Sequence, residues 1–113
     1  MHRSHLSGVR GESVVRICGL TFPGGSGCFT NPYPTSISVR TATGRYVTTI
    51  QTDSQGRFRI ALRPGGYTLT PYVRVTTLPT GGVVIGLPYA DPVQVVVPPR
   101  RVIPVRFTYR YGG

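Results

Sequence analysis

The chain of 113 residues is long enough for one domain with a two-layer core and too short for two separate cores. Thirteen arginines stand against three acidic residues, which gives a formal net charge of +10 and favours polyanions as partners. Lysine is absent, so Schiff bases of lysine and lysine–asparagine crosslinks are excluded. Fifteen glycines and eleven prolines among runs of valine, isoleucine, threonine and tyrosine predict many short strands rather than helices or disorder.

The first twenty residues contain a polar arm and one strand. Residues 1–7 are polar and basic, and we expect a flexible arm there. His2 and His5 lie in this arm with no helix to present them and no third ligand nearby, so they predict no metal site. Residues 8–20 contain the predicted first strand, in which Val15 and Ile17 alternate with Arg16.

Cys18 and Cys28 are the two cysteines of the chain, and they flank a glycine-rich loop. Their placement favours a disulfide, and two free thiols are the alternative. The spacing fits neither a redox motif nor a four-ligand zinc site. A disulfide predicts an extracellular or cell-surface location. Because no apolar leader and no membrane-spanning run is visible, we expect a removed leader or a module of a longer protein.

The middle of the chain predicts one loop followed by two strands. Residues 22–34 are punctuated by glycine and proline and predict a long loop, whereas residues 36–41 alternate cleanly as a strand. Residues 46–52 predict the returning strand. Val47 and Ile50 cannot share a face of that strand under strict alternation, which indicates either a bulge or the exposure of one of them.

The clearest signal lies in residues 52–70. Phe58, Ile60 and Leu62 alternate with arginine and alanine, which predicts a half-buried strand with an apolar face. Turn sequences precede and follow this strand, and the next strand begins at Tyr67. The predicted core comprises Phe58, Ile60, Leu62, Tyr67, Leu69, Val105 and Phe107.

The last third of the chain contains an insertion and two more strands. Residues 77–92 are too apolar for a solvated linker, and we expect them to lie against the sandwich or to be covered by a partner. Residues 93–97 and 103–109 predict the final strands. In the last strand the residues predicted to point inward are Ile103, Val105, Phe107 and Tyr109. These patterns predict an all-β, seven-stranded antiparallel Greek-key β-sandwich of the immunoglobulin-like kind, forming a single domain over residues 8–113.

Several motifs resemble those of the carboxypeptidase regulatory-like domains. These motifs are Gly8-Val-Arg-Gly11, a Cys-x9-Cys loop leading into Pro-Tyr-Pro, Ile-x-Val followed by Gly44, and Thr-Asp-x-x-Gly-Arg-Phe-x-x-x-Leu-x-Pro-Gly-x-Tyr-x-Leu. The resemblance covers residues 8–71 and implies a transthyretin-like (prealbumin-like) sandwich. It also implies a non-catalytic extracellular domain. The chain departs from the family at its C-terminal end and in the apolar insertion.

The acidic residues do not suggest catalysis. Glu12, Asp53 and Asp91 are scattered along the chain, and neither a paired carboxylate nor a nucleophile with a base is apparent. Without lysine there is also no phosphate-binding loop of the Walker type. We therefore expect no enzymatic activity, no cofactor and no metal.

The remaining functional hypotheses concern surfaces. The first is a structural or adhesive role with self-association into a homo-oligomer or filament, because a sandwich has open edges and this one has an apolar insertion. The alternative hypothesis is an accessory domain that binds acidic polysaccharide or another polyanion. A third and less favoured hypothesis is nucleic-acid binding through arginines and Tyr46, Tyr72 or Tyr109. The candidate interaction surface comprises Val83, Val84, Ile85, Leu87, Tyr89, Arg57, Arg59, Arg106 and Arg110.

Overall fold

The structure is a computed structural model that describes residues 7–22 and 25–111. Every regular element in these ranges is a β-strand, so the all-β prediction is confirmed. The strands are Gly8–Phe22 (β1), Gly25–Pro32 (β2), Ser36–Thr41 (β3), Tyr46–Gln51 (β4), Arg57–Ala61 (β5), Gly65–Pro71 (β6), Val75–Thr77 (β7), Val83–Ile85 (β8), Val93–Val97 (β9) and Val102–Arg110 (β10).

The strands form three sheets. In the first sheet β1 is central: β10 pairs with it on one side, and β5 and β2 pair with successive parts of its other side. The second sheet has the order β4-β3-β6-β9 and is antiparallel throughout. The third is a separate two-stranded sheet of β7 and β8. The first two sheets enclose the main core and form the β-sandwich.

Two details of the predicted fold are wrong. The described residues contain ten strands rather than seven, because β2 lies in the segment predicted as a long loop, and β7 and β8 lie in and beside the insertion. The sandwich is also not purely antiparallel, since β1 and β10 run parallel from the pair Gly8 and Val102 to the pair Arg16 and Arg110. Strands this far apart in sequence can pair in either direction, and local alternation does not distinguish the two. The Greek-key connectivity stays a prediction.

The core between the two main sheets matches the predicted set. Phe58, Leu62, Tyr67, Leu69, Val105 and Phe107 are all buried there, and Ile60 packs against them as a partly buried residue. Val9, Ile37, Val39 and Val97 complete this cluster. Alternation therefore identified the inward face of each main strand correctly.

A second, smaller cluster lies around Tyr109. This residue is 1% exposed and packs with Val15 and Ala90. Its hydroxyl donates a hydrogen bond of 2.7 Å to the backbone carbonyl of Tyr72 and lies 3.0 Å from Oγ1 of Thr35. Burial raises the pKa of the Tyr109 phenol above its ordinary value, because the charged form would lose its hydration.

Both explanations offered for Val47 apply. The pairing of β3 with β4 shifts register between Val39 and Arg40, whose partners are Thr48 and Tyr46, so Val47 is the extra residue of a bulge. Its side chain is exposed, whereas Ile50 packs against the main core.

The cysteines occupy opposite positions of a hairpin rather than the ends of a loop. Cys18 in β1 pairs in register with Cys28 in β2, and their sulfurs form a disulfide across a Cα–Cα distance of 4.1 Å. The predicted disulfide is therefore present in the structure. At the N-terminal boundary, Ser7 already belongs to the sandwich, because Leu62 donates a backbone hydrogen bond of 2.9 Å to its carbonyl. The rest of the predicted arm, including His2 and His5, lies outside the described residues.

Candidate functional site

The β7–β8 hairpin presents apolar side chains to solvent. All six residues of its two strands are exposed, and the sheet that they form pairs with neither main sheet. The apolar residues of the hairpin and its neighbours are between 41% and 62% exposed, and they are Val75, Leu78, Val83, Val84, Ile85 and Leu87. Four of the predicted interaction residues are among them. The insertion is thus not part of the core at these positions.

The pairing register divides the hairpin into two faces. Val75 lies opposite Ile85, and Thr77 lies opposite Val83. Since side chains alternate along a strand, these four residues share one face, whereas Val84 and its partner Thr76 lie on the other. Three of the four side chains on the first face are aliphatic, so this face is the more apolar one. We refer to Val75, Val83 and Ile85 as the aliphatic face.

The C-terminal part of the insertion is attached to the sandwich. Tyr89 and Arg110 exchange two backbone hydrogen bonds of 2.8 Å, and the next residue, Ala90, is 1% exposed in the Tyr109 cluster. The expectation that the insertion lies against the sandwich therefore holds for residues 89–90. Tyr89 is partly buried and contributes less to the exposed surface than Leu87 does.

Arginines from three strands meet on the outer face of the first sheet. Glu12 in β1 lies between Arg57 of β5 and Arg106 of β10 in the pairing register. Two residues earlier, Arg10 lies between Arg59 and Pro104. These alternate positions share the face opposite the core, and the four arginines are exposed. We call Arg10, Arg57, Arg59 and Arg106 the arginine face.

The arginine face borders a shallow groove of about 540 Å³. Its walls also include Glu12 and Pro104. Glu12 forms an ion pair with Arg106, with 3.4 Å between Oε2 and Nε. This face therefore carries four positive charges and one negative charge. Arg57 and Arg59 also border an adjacent groove on the side of Gln51 and Thr52.

The structure separates Arg110 from the other predicted arginines. Its guanidinium lies 3.3 Å from the carboxylate of Asp91, at the end of β10 that holds the Tyr109 cluster. Conversely, Arg10 belongs to the arginine face although it was not among the predicted interaction residues. Nothing local in the sequence indicated that β1 would lie between β5 and β10.

The tyrosines proposed to stack on nucleic-acid bases do not join this face. Tyr109 is buried, which makes its proposed stacking role wrong. Tyr46 lies on β4 of the second sheet, beneath the guanidinium of Arg40 at 5.5 Å, and Tyr72 directly follows β6 of the same sheet. Among the residues that the structure describes, the aromatic one that borders the arginine groove is Phe58, whose side chain belongs to the core.

Each of the three carboxylates has a local structural partner. Glu12 and Asp91 pair with arginines, and Oδ1 of Asp53 accepts backbone hydrogen bonds of 2.8 Å from Gln55 and Arg57. The last arrangement stabilises the turn before β5. Within residues 7–22 and 25–111, no three metal-ligating side chains of the histidine, cysteine or acidic type are grouped together. In the same ranges no helix is long and apolar enough to cross a bilayer.

A comparison with solved structures finds a likeness to GBS52, the minor pilin of the Gram-positive pathogen Streptococcus agalactiae. The TM-score is 0.63 at 13% sequence identity, and the match covers 96% of this chain and 46% of the pilin chain. The chain thus spans less than half the length of this neighbour, and the likeness establishes the strand-rich fold.

No protein-family model and no curated protein sequence matches the chain. The resemblance to carboxypeptidase regulatory-like domains is therefore supported at the level of the β-sandwich and no further.

Proposed function

We propose that the chain is a non-catalytic, extracellular structural module that associates with further copies of itself in a cell-surface or filament-like assembly. The observation that carries this proposal is the β7–β8 hairpin. Its aliphatic face is between 56% and 62% exposed at Val75, Val83 and Ile85. A cluster of exposed aliphatic side chains of this kind is typical of a surface that a partner covers.

A second copy is the partner that best fits this hairpin. Residues 75–85 contain no charged side chain, although the chain as a whole carries a net charge of +10. Two copies can therefore approach through the hairpin with less like-charge repulsion than through an arginine-rich surface. In a two-stranded sheet, β7 and β8 each pair on one side only, which leaves an edge where a strand of another copy can add.

Three further observations support the proposal. Among the described residues, Glu12 and Asp91 are engaged in ion pairs and Asp53 stabilises a turn, so each of these carboxylates has a structural role that needs no catalytic one. The fold is also similar to part of a minor pilin, and a pilin is a component of a surface fibre. The disulfide is consistent with an oxidising, extracellular environment.

The test compares aspartate substitutions on the two faces of the hairpin. We expect Ile85→Asp to weaken self-association strongly, because it places a charge on the aliphatic face, and to leave the unfolding midpoint nearly unchanged, because Ile85 is 56% exposed. Val84→Asp is the matched control, since it introduces the same charge one residue away on the opposite face. Sedimentation velocity over a range of concentrations measures association, and negative-stain microscopy detects filaments.

The proposal requires the wild-type protein to associate and Ile85→Asp to weaken that association. A smaller defect in Val84→Asp would assign the contact to the aliphatic face. Equal defects would mean that both faces of the hairpin are covered, which retains the assembly but changes its geometry. A wild-type protein that stays monomeric at high concentration would contradict the proposal. In that case the accessory-domain hypothesis takes its place.

A further inference from the structure

The arginine face is a second surface, separate from the hairpin, and its geometry suggests a ligand of its own. Strands β5, β1 and β10 lie side by side there, with neighbouring strands about 4.8 Å apart and alternate residues along a strand about 7 Å apart. Four guanidinium groups therefore rise from a small area. The groove between them is shallow and open to solvent, so a chain longer than the groove can lie across it.

Most of this positive charge is not neutralised by the protein. Among the described residues, the acid that pairs with the face is Glu12, and its ion pair goes to Arg106. Arg10, Arg57 and Arg59 have no acidic group within ion-pair distance in the part of the chain that the structure describes. Guanidinium groups bind sulfate, carboxylate and phosphate through paired hydrogen bonds, and a planar array of them suits a polymer with regularly spaced anions.

The aromatic residues distinguish between the possible polymers. Single-stranded nucleic acid is normally held by aromatic side chains on which its bases stack, in addition to phosphate contacts. Among the described residues, no exposed ring borders the arginine groove, because Phe58 is 7% exposed and faces the core, while Tyr46 belongs to the other sheet. The described part of this face can therefore bind anionic groups but offers no aromatic surface on which bases could stack.

From these observations we infer that the arginine face binds a linear acidic polysaccharide. The sulfate or carboxylate groups of the polysaccharide contact Arg10, Arg57, Arg59 and Arg106, and its sugar rings lie along the groove. Glu12 opposes this binding by its charge and by engaging Arg106. The site goes beyond the proposed structural role, since it would give an assembled module a means of attachment to a polyanionic matrix.

The experiment uses a heparin octasaccharide as the probe, with binding measured by calorimetry near 0.15 M salt. We expect the double substitution Arg57→Gln with Arg59→Gln to weaken binding by about tenfold or more, since it removes two charge-assisted contacts. The matched control is Arg40→Gln with Arg45→Gln, which removes the same charge from the second sheet and its adjoining turn. We expect that control to change affinity by less than about twofold.

A gain of affinity provides a test that misfolding cannot imitate. Glu12→Gln removes the negative charge of the face and releases Arg106, so we expect binding to tighten by about threefold. Unchanged or weaker binding of Glu12→Gln, in protein that unfolds at the wild-type midpoint, would overturn the inference. Equal losses from the two arginine double variants would also overturn it, because binding would then follow net charge rather than this face.

A thymidine oligonucleotide of similar charge tests the rival ligand. Tighter binding of the oligonucleotide than of the octasaccharide, lost on substitution of Arg57 and Arg59, would assign the face to nucleic acid and overturn the inference. We also expect binding of the octasaccharide to be independent of self-association. Ile85→Asp should bind the octasaccharide as the wild type does, so failure of self-association and failure of polysaccharide binding can be told apart.

Discussion

Removal of the Phe58 side chain tests the sandwich core most directly. Phe58 lies on β5, is 7% exposed, and packs in the cluster that joins the two main sheets. Its ring centroid is 6.0 Å from that of Phe107, and one edge of the ring fills the space beside Gly11, where an added Cβ would come within 2.8 Å of it. Phe58→Ala therefore leaves a cavity that the neighbouring β-strands cannot readily close.

The expected loss follows from this burial. Truncation of a buried phenylalanine costs about 3–5 kcal/mol, because lost transfer free energy and the remaining cavity both contribute. A domain of this size has a free energy of unfolding of about 5–15 kcal/mol, so the loss is a large share of the total. The corresponding decrease in Tm is on the order of 20 °C.

Urea unfolding followed by circular dichroism measures this effect. Phe29→Ala is the matched control, because Phe29 also lies on a strand of the first sheet but is 44% exposed. We expect the control to lose less than about 1 kcal/mol. Equal midpoints for Phe58→Ala and the wild type, or equal losses in the two variants, would refute the assignment of Phe58 to the core.

Two further predictions concern a buried hydroxyl and a turn. Because burial raises the pKa of Tyr109, the contribution of its neutral phenol to stability is complete below the ordinary pKa of 10.0 and is lost as the pH rises through the folded-state pKa. Tyr109→Phe should therefore cost about 1–2 kcal/mol of unfolding free energy at neutral pH and should reduce the loss of stability at alkaline pH. Urea unfolding at a series of pH values measures both effects. Gly56→Ala should destabilise far more than Gly44→Ala: both glycines have positive φ, but a Cβ at Gly56 would lie 2.3 Å from a backbone carbonyl, whereas one at Gly44 meets nothing within 4 Å. Similar thermal midpoints for the two alanine variants would contradict this reading of the turn.

The sequence was most informative where the alternation of residues decides the structure. Along β3, β5, β6 and β10 the apolar positions recur with a period of two, and the inward residues follow because a strand buried on one face must place them there. The conflict between Val47 and Ile50 was visible for the same reason. It is resolved in the structure by a bulge with Val47 exposed.

Alternation was not sufficient for the strands without a clear apolar face. In β2, two glycines and a proline hide a strand that is held by pairing with the second half of β1. In β7 and β8, all residues are exposed, so no buried face marked them as strands. For Ile85 and its neighbours the sequence left two possibilities, packing against the sandwich or exposure to a partner, since an apolar run is equally compatible with a core strand.

The sequence by itself determined the class of fold, the inward faces of the main strands and the predominance of arginine on the outward ones. The tertiary structure alone decided which strands lie side by side. Arg10 is 47 residues from Arg57 and 96 from Arg106 in the numbering of the chain, and only the pairing of β1 with β5 and with β10 brings them onto one face. The physical reason is that alternation is a property of one strand, whereas pairing between distant strands depends on how all the apolar faces of the sandwich are buried together.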